Sequence, residues 1–102
     1  HMAANLEVDW DSIKAQANIA KHGVTFALAA TVLVDPLMIT VFDAAHSTDE
    51  ERWFTLGQAH DGRLLAVAHT YIVTGPNSAR VRLISAREAT RRERQHYEQK
   101  PL

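Results

Sequence analysis

The chain has 102 residues, of which 46% are hydrophobic, a formal net charge of −1 and no cysteine. A chain of this length holds one hydrophobic core, so residues 1–102 are expected to form a single domain, with His1 and Met2 as the remnant of a tag. The lack of cysteine excludes disulfides and thiolate chemistry, and no apolar run reaches the roughly 18 residues that cross a bilayer, which favours a cytoplasmic protein without a membrane partner.

The first third of the chain predicts a short strand and two helices. Residues 6–10 alternate apolar with acidic side chains, as a strand does. The first helix is capped by Asp9 or Asp11 and ends at Gly23, the residue type expected just past a helix C-terminus. Thr25 caps the second helix, over residues 26–34. The apolar or small residues expected along the first helix are Ile13, Ala17 and Ala20.

The rest of the chain predicts four strands and a last helix. The strands are expected at residues 37–42, 52–58, 64–71 and 80–84, with an Asp-Gly turn between the second and the third. Ser85 and Glu88 have the spacing of a capping box, which predicts a helix from residue 86 to about 99. The predicted fold is therefore α+β, with two N-terminal helices, a four-stranded antiparallel sheet and a C-terminal helix.

Charge is distributed unevenly along the chain. Residues 80–102 carry seven basic and three acidic residues, a net charge of +4, whereas the first 79 residues carry four basic and nine acidic residues, a net charge of −5. A concentrated basic region is typical of a surface that binds a polyanion, above all a nucleic acid, or an acidic protein. The alternative is a solvated, charged helix without a partner.

The pattern W-D-x-x-K-x-x-x-N-x-x-K-H-G-V-x-F runs from Trp10 to Phe26, and I-S-A-R-x-A-T-x-x-E-R-x-x-Y-E runs from Ile84 to Glu98. These two long motifs resemble those of the BrnT toxin family. Two positions depart from the family: Glu88 stands where lysine is common, and the connection over residues 72–79 is longer than the usual tight turn. Further matches between the two motifs are Asp35-Pro36-Leu37, Glu50-Glu51-Arg52, Gly57, Gly62-Arg63 and Thr70.

This resemblance implies a RelE-like fold and a ribonuclease toxin of a type II toxin–antitoxin pair that cleaves RNA and inhibits translation. It also implies a ribbon-helix-helix antitoxin as the partner. We expect two toxins to assemble with two antitoxins, and the complex to bind operator DNA. The alternative function is a non-catalytic nucleic-acid or antitoxin-binding module that docks through its basic C-terminal helix.

Cleavage of RNA without a metal needs cations for the charge on phosphorus and groups that move two protons. Arg52 and Arg87 are predicted to stabilise the phosphate, since a guanidinium donates paired hydrogen bonds and stays protonated. Arg87 is expected in the first turn of the last helix, where free N–H groups also favour an anion. Each arginine has an alternative role in an ion pair, for Arg52 with Glu50 or Asp49.

The side chains that could transfer protons are His22, His46, Glu51, Glu93 and Tyr97, of which His22, Glu93 and Tyr97 are the predicted catalytic set. His22 also fits, and fits better, a plain role as a cation at a helix C-terminus. The residues predicted to bind the RNA backbone are Lys14, Lys21, Arg80, Arg82, Arg91 and Arg94. No histidine pair has metal-ligand spacing, so neither a metal nor another cofactor is expected.

The aromatic residues are expected to lie mostly in the core. Strand alternation must turn either Trp53 or Phe54 outward, where it could stack on a base. The set comprises Trp10, Phe26, Phe42, Trp53, Phe54 and Tyr71.

Overall fold

A six-stranded mixed sheet organises this computed structural model, which describes residues 3–99. His1, Met2 and Lys100 lie outside the described residues, so the tag interpretation is not addressed. The elements are β1 (Asn5–Asp9), α1 (Ser12–His22), α2 (Phe26–Ala30), β2 (Ile39–Phe42), β3 (Arg52–Gln58), β4 (Leu64–Thr70), β5 (Ile72–Gly75), β6 (Ser78–Glu88) and α3 (Arg91–Glu98), with 3-10 turns at Thr31–Val34 and Ala44–His46.

The strands lie in the order β1-β6-β4-β3-β2, and β5 also pairs with β6. All neighbouring pairs are antiparallel except β1 and β6, which run parallel. The expectation of a four-stranded antiparallel sheet was therefore wrong in strand number and in one direction. The parallel pair joins segments more than 70 residues apart, such as Asn5 and Ser78, so no local pattern specifies it.

The sheet has two different faces. One face packs Leu65, Val67, Val81 and Leu83 against the buried side chains of α2 and the following turn, including Phe26, and forms the main core. A smaller cluster on the other face packs Leu56, Leu64 and Ala66 beside Ala89 and Tyr97 of the C-terminal segment. Strand alternation places Arg52, Arg82 and Arg87 on this second face, which we call the open face.

α1 contacts the sheet through a polar residue. Asn18 is its buried residue, whereas Ile13 is 79% exposed and Ala17 and Ala20 also face solvent. The Asn18 side chain accepts a hydrogen bond from the Ala86 N–H and donates to the carbonyls of Ala86 and Val24, at 3.0, 2.8 and 2.9 Å. Because β1 pairs with β6 only as far as Arg82, this amide occupies the free edge of β6 beyond the end of β1.

The caps of α1 and α2 confirm the sequence predictions. Asp11 accepts a hydrogen bond from the Lys14 N–H, Gly23 ends α1 with φ of 68°, and Thr25 caps α2. Gly62 has φ of 93° in the predicted turn between β3 and β4. By length and hydropathy no single helix among residues 3–99 could span a membrane; only α1 taken together with the segment 26–34, which is bent from it by 95°, reaches that length.

Two local predictions were wrong. Ser85 and Glu88 belong to β6, where pairing with β4 satisfies the backbone, and the capping box of α3 is instead Thr90 with Glu93. The connection over residues 72–79 contains β5, which pairs with the first residues of β6. Residues 85–93 contain two successive Ser/Thr-x-x-Glu patterns, at 85–88 and at 90–93, and strand pairing decides which one caps the helix.

Candidate functional site

A cleft of about 540 Å³ on the open face brings together three cations from different elements. Lys14 comes from the first turn of α1, Arg52 begins β3, and Arg82 lies in β6. We call this the cationic cleft. Its lining is completed by Asp9, Trp10, Asp11, Glu50, Leu83 and Ile84.

Local structure explains how the cations reach the cleft. In β6 the side chains of Val81 and Leu83 are buried and that of Arg82 is exposed, which confirms the predicted alternation. The Arg52 N–H donates to Ser47 Oγ at 2.9 Å, which ties the start of β3 to the preceding loop. The backbone N–H of Lys14 donates to the cap residue Asp11 at 2.9 Å, which holds the backbone of Lys14 in the first turn of α1.

The arginines of the cleft are only loosely paired. Arg52 lies 4.0 Å from Glu50, and Arg82 lies 3.9 Å from Asp9. Ion pairs this long and this exposed contribute little stability and are readily exchanged for another anion. The Arg52 Nε is buried and has no hydrogen-bond partner among the described residues. Arg52 therefore retains an unused donor. Of its two predicted ion-pair partners, Glu50 is the one that lies within 4.0 Å.

Arg87 lies in a separate cluster with Glu93. Its guanidinium donates two hydrogen bonds to the Glu93 carboxylate, at 2.8 and 3.0 Å. These bonds, together with one from the Thr90 N–H, lower the pKa of Glu93 to about 2, and the same pair raises the pKa of Arg87. Arg87 belongs to β6, where it stands opposite Ala66 of β4. The prediction that Arg87 lies in the first turn of a helix was therefore wrong. The predicted ion-pair alternative for Arg87 is present.

The two predicted phosphate-binding arginines are far apart on the sheet. Arg52 stands opposite Thr70 of β4 and Arg87 opposite Ala66, on the other side of that strand. Four residues along a strand and two strand spacings across it separate their backbones by about 16 Å. They therefore serve different parts of the open face.

Tyr97 contacts a different partner again. Its hydroxyl donates to Asp35 Oδ2 at 2.6 Å, and the same oxygen accepts the Gln58 N–H at 2.8 Å. Burial, followed by this bond, raises the pKa of Tyr97 to about 12. In the sequence, Asp35 stood out as part of the match Asp35-Pro36-Leu37; in the structure its carboxylate links α3 to the end of β3.

The remaining predicted residues lie outside the cationic cleft. His22 ends α1, eight residues or about 12 Å along the helix from Lys14, and Lys21 lies beside it. His46 pairs with Asp43 at 2.9 Å, and Glu51 is exposed. On the surface, Arg80 pairs with Glu7 at 3.5 Å and Arg94 with Glu98 at 3.9 Å, and Arg91 is exposed.

One histidine, which the sequence analysis considered only for metal-ligand spacing, is buried in the sheet. His69 lies in β4 at 0% exposure, its Nε2 is 2.7 Å from Thr55 Oγ1, and its Nδ1 is 2.8 Å from the Thr70 carbonyl. Burial lowers the pKa of His69, which favours the neutral ring. Among residues 3–99 no three potential ligands are grouped as a metal ion requires. The contacts of His69 therefore join neighbouring strands within the sheet and do not form part of the cationic cleft.

Comparisons with known proteins identify similar molecules. A family model described as the ribonuclease toxin BrnT of type II toxin–antitoxin systems matches residues 10–93. Among solved structures, the chain is similar to the Brucella abortus ribonuclease toxin BrnT, determined by crystallography at 1.1 Å resolution. The two are 26% identical with a TM-score of 0.56, over 85% of this chain and 100% of the Brucella chain. No curated protein sequence matches.

Proposed function

Because the chain belongs to the BrnT family of ribonuclease toxins of type II toxin–antitoxin systems, we propose that it is a metal-independent endoribonuclease that inhibits translation until an antitoxin neutralises it. The observation that supports this function best is the convergence of Lys14, Arg52 and Arg82 at one cleft. Three cations from three elements can surround a phosphate whose charge increases during cleavage.

The proposed reaction begins when a 2′-hydroxyl oxygen attacks the adjacent phosphorus. The bond from phosphorus to the 5′-oxygen breaks, which leaves a 2′,3′-cyclic phosphate on one product and a 5′-hydroxyl on the other. Arg52 and Arg82 donate hydrogen bonds to the non-bridging oxygens. The carboxylates of Asp9 and Glu50 line the same cleft and can accept the 2′-hydroxyl proton, and the Lys14 ammonium can protonate the leaving oxygen.

The other predicted site residues have roles away from the reacting phosphate in this proposal. Lys21, Arg80, Arg91 and Arg94 bind the backbone of flanking nucleotides, and Arg87 does so after exchanging Glu93 for a phosphate. The proton-transfer roles of His22, Glu93 and Tyr97 stay predictions. A carboxylate with a pKa of about 2 is a weak base at neutral pH, which disfavours Glu93 in that role.

The test is cleavage of RNA by the purified chain with EDTA present, followed by identification of the product ends. We expect cyclic or 3′-phosphate ends and a loss of activity of at least about 100-fold in Arg52→Ala. Arg63→Ala is the matched control, because Arg63 pairs with Asp61 near the β3–β4 turn and does not line the cleft. Activity that disappears on chelation and returns with a divalent ion would refute metal independence.

The family description also supports an antitoxin partner. We propose a ribbon-helix-helix antitoxin, with two toxins and two antitoxins in a complex that binds operator DNA. An acidic segment laid across the basic surface would cover the cations that bind RNA. The antitoxin should therefore displace bound RNA, and charge reversal at Arg91 and Arg94 should weaken both interactions. Simultaneous binding of antitoxin and RNA would show that inhibition works elsewhere.

One observation supports the alternative of a non-catalytic docking module. Arg91, Arg92 and Arg94 are all exposed on α3, as expected for a helix that docks onto a polyanion. Docking through charge should weaken gradually as arginines are removed, whereas catalysis should collapse when Arg52 alone is lost. Equal, small effects of Arg52→Ala and Arg92→Ala would favour the docking module.

A further inference from the structure

Trp10 connects β1 to α1 and lines the cationic cleft. Its ring meets the ring of Phe26 edge to face, with centroids 6.1 Å apart and planes at 77°. Phe26 is only 1% exposed, whereas Trp10 keeps 40% of its surface exposed. One part of the indole is thus anchored on the core while another part is open to the cleft. The sequence prediction that placed Trp10 in the core was correct only for the anchored part.

The charges that line the cleft are balanced. The three cations are accompanied by three carboxylates, those of Asp9, Asp11 and Glu50. Binding of nucleic acid through phosphates alone depends on the excess of positive charge, because affinity follows the counterions that protein cations release. A lining with no such excess attracts a phosphate chain weakly. Binding at this cleft therefore needs a contact that does not depend on charge.

The exposed indole can provide that contact. Every base has a π-face that stacks on an aromatic ring, and such stacking depends little on sequence. The ring is already held by Phe26, so little conformational freedom is lost when a base binds. The neighbouring cations, Lys14 and Arg82, can bind the phosphates on either side of the stacked nucleotide.

We propose that Trp10 is a stacking platform for an unpaired base and that the cationic cleft consequently selects single-stranded RNA, an inference that rests on the proposed function. A base within a duplex is covered on both sides by its neighbours and cannot reach the indole. Trp10 is a positioning residue, since it fixes the nucleotide whose phosphate the cations bind. Selection of unpaired RNA follows from stacking and not from the charge of the protein.

The experiment measures binding of four probes, three of which are RNAs that cannot be cleaved because every 2′-hydroxyl is methylated. The probes are a single strand of about ten nucleotides, a duplex of the same sequence, an abasic version of the strand, and inorganic phosphate as the base-free anion. Fluorescence of Trp10 is recorded in the Trp53→Phe background, which leaves Trp10 as the only tryptophan in the chain. The variants compared are Trp10→Phe, which can still stack, and Trp10→Leu, which fills space without stacking. Because both lack the indole signal, their affinities and that of the parent are measured by fluorescence anisotropy of the dye-labelled strand.

We expect the single strand to quench Trp10 fluorescence and the duplex, the abasic strand and phosphate to quench it weakly. Loss of one stacked base lowers affinity by at least about 5-fold, so Trp10→Leu should lose that much while Trp10→Phe stays close to the parent. The melting temperature of each variant separates lost stacking from lost folding. If Trp10→Leu does not fold, the abasic and duplex probes on the parent protein decide the matter.

Equal binding of the single strand and its abasic version, or unchanged affinity in Trp10→Leu, would overturn the inference. Failure of the proposed function gives a different result. If Arg52→Ala and Arg82→Ala weaken binding while Trp10→Leu does not, the cleft binds phosphate and only the stacking platform is refuted. If all three variants bind like the parent, RNA does not use this cleft, and both the site and the inference are wrong.

Discussion

Replacement of Asn18 by alanine removes a side chain that joins α1 to the unpaired edge of β6. Three buried backbone groups lose their partner: the N–H and the carbonyl of Ala86 and the carbonyl of Val24. A buried polar group left without a hydrogen bond costs about 1–3 kcal/mol, so three such groups set an upper range of about 3–9 kcal/mol. Alanine restores a few tenths of a kcal/mol through its helix propensity, about 0.6 kcal/mol at most.

We therefore expect the free energy of unfolding to fall by about 3 kcal/mol, the lower end of the range, because water can enter the vacated polar space. For a domain of this size that corresponds to a melting temperature lower by more than about 10 °C. Circular dichroism during heating and urea titration measures both quantities. Gln16→Ala is the matched control, since Gln16 is an exposed amide on the same helix. A difference below about 0.5 kcal/mol between the two variants would refute the edge-capping role.

Three further outcomes are expected. The Arg87–Glu93 pair holds the pKa of Glu93 at about 2, below its ordinary value of 4.5. The stabilisation from this pair is therefore complete above about pH 4.5 and is lost as the pH falls toward 2. Between these pH values the free energy of unfolding in urea should fall less for Glu93→Gln than for the parent, and an equal fall would contradict the pairing. Gly57→Ala should lose about 1–3 kcal/mol in thermal unfolding, because its Cβ would lie 2.9 Å from Val32 Cγ1, and unchanged stability would show that the neighbours move freely. Expression of the chain alone should arrest bacterial growth, and Arg87→Ala should relieve the arrest while the free energy of unfolding changes by about 1 kcal/mol or less. A fully toxic Arg87→Ala variant would show that the toxin does not need Arg87 to bind RNA.

The sequence identified the cations of the cleft as candidate residues, but it could not show that they lie together. Lys14, Arg52 and Arg82 were predicted individually, because basic residues in a potential RNA-binding protein are obvious candidates. Their convergence depends on β1 and β6 being neighbours and on β3 beginning at the same end of the sheet. These are contacts between distant segments, and sequence periodicity carries no information about them. The pairing of Arg87 with Glu93 could not be predicted for a similar reason. It depends on α3 beginning at Arg91, five residues later than predicted.

Local sequence signals were enough to predict four features: the caps of α1 and α2, the Asp-Gly turn, the positions of β3 and β4, and the inward and outward alternation around Arg82. Each depends on interactions within a few residues, where side-chain chemistry and backbone preference act directly. Tertiary structure alone decided that residues 85–88 extend a strand, because pairing with β4 satisfies their backbone groups better than a helical turn would. It also decided that the polar residue Asn18, and not Ile13, faces the core, since the free edge of β6 needs hydrogen bonds that an apolar side chain cannot supply.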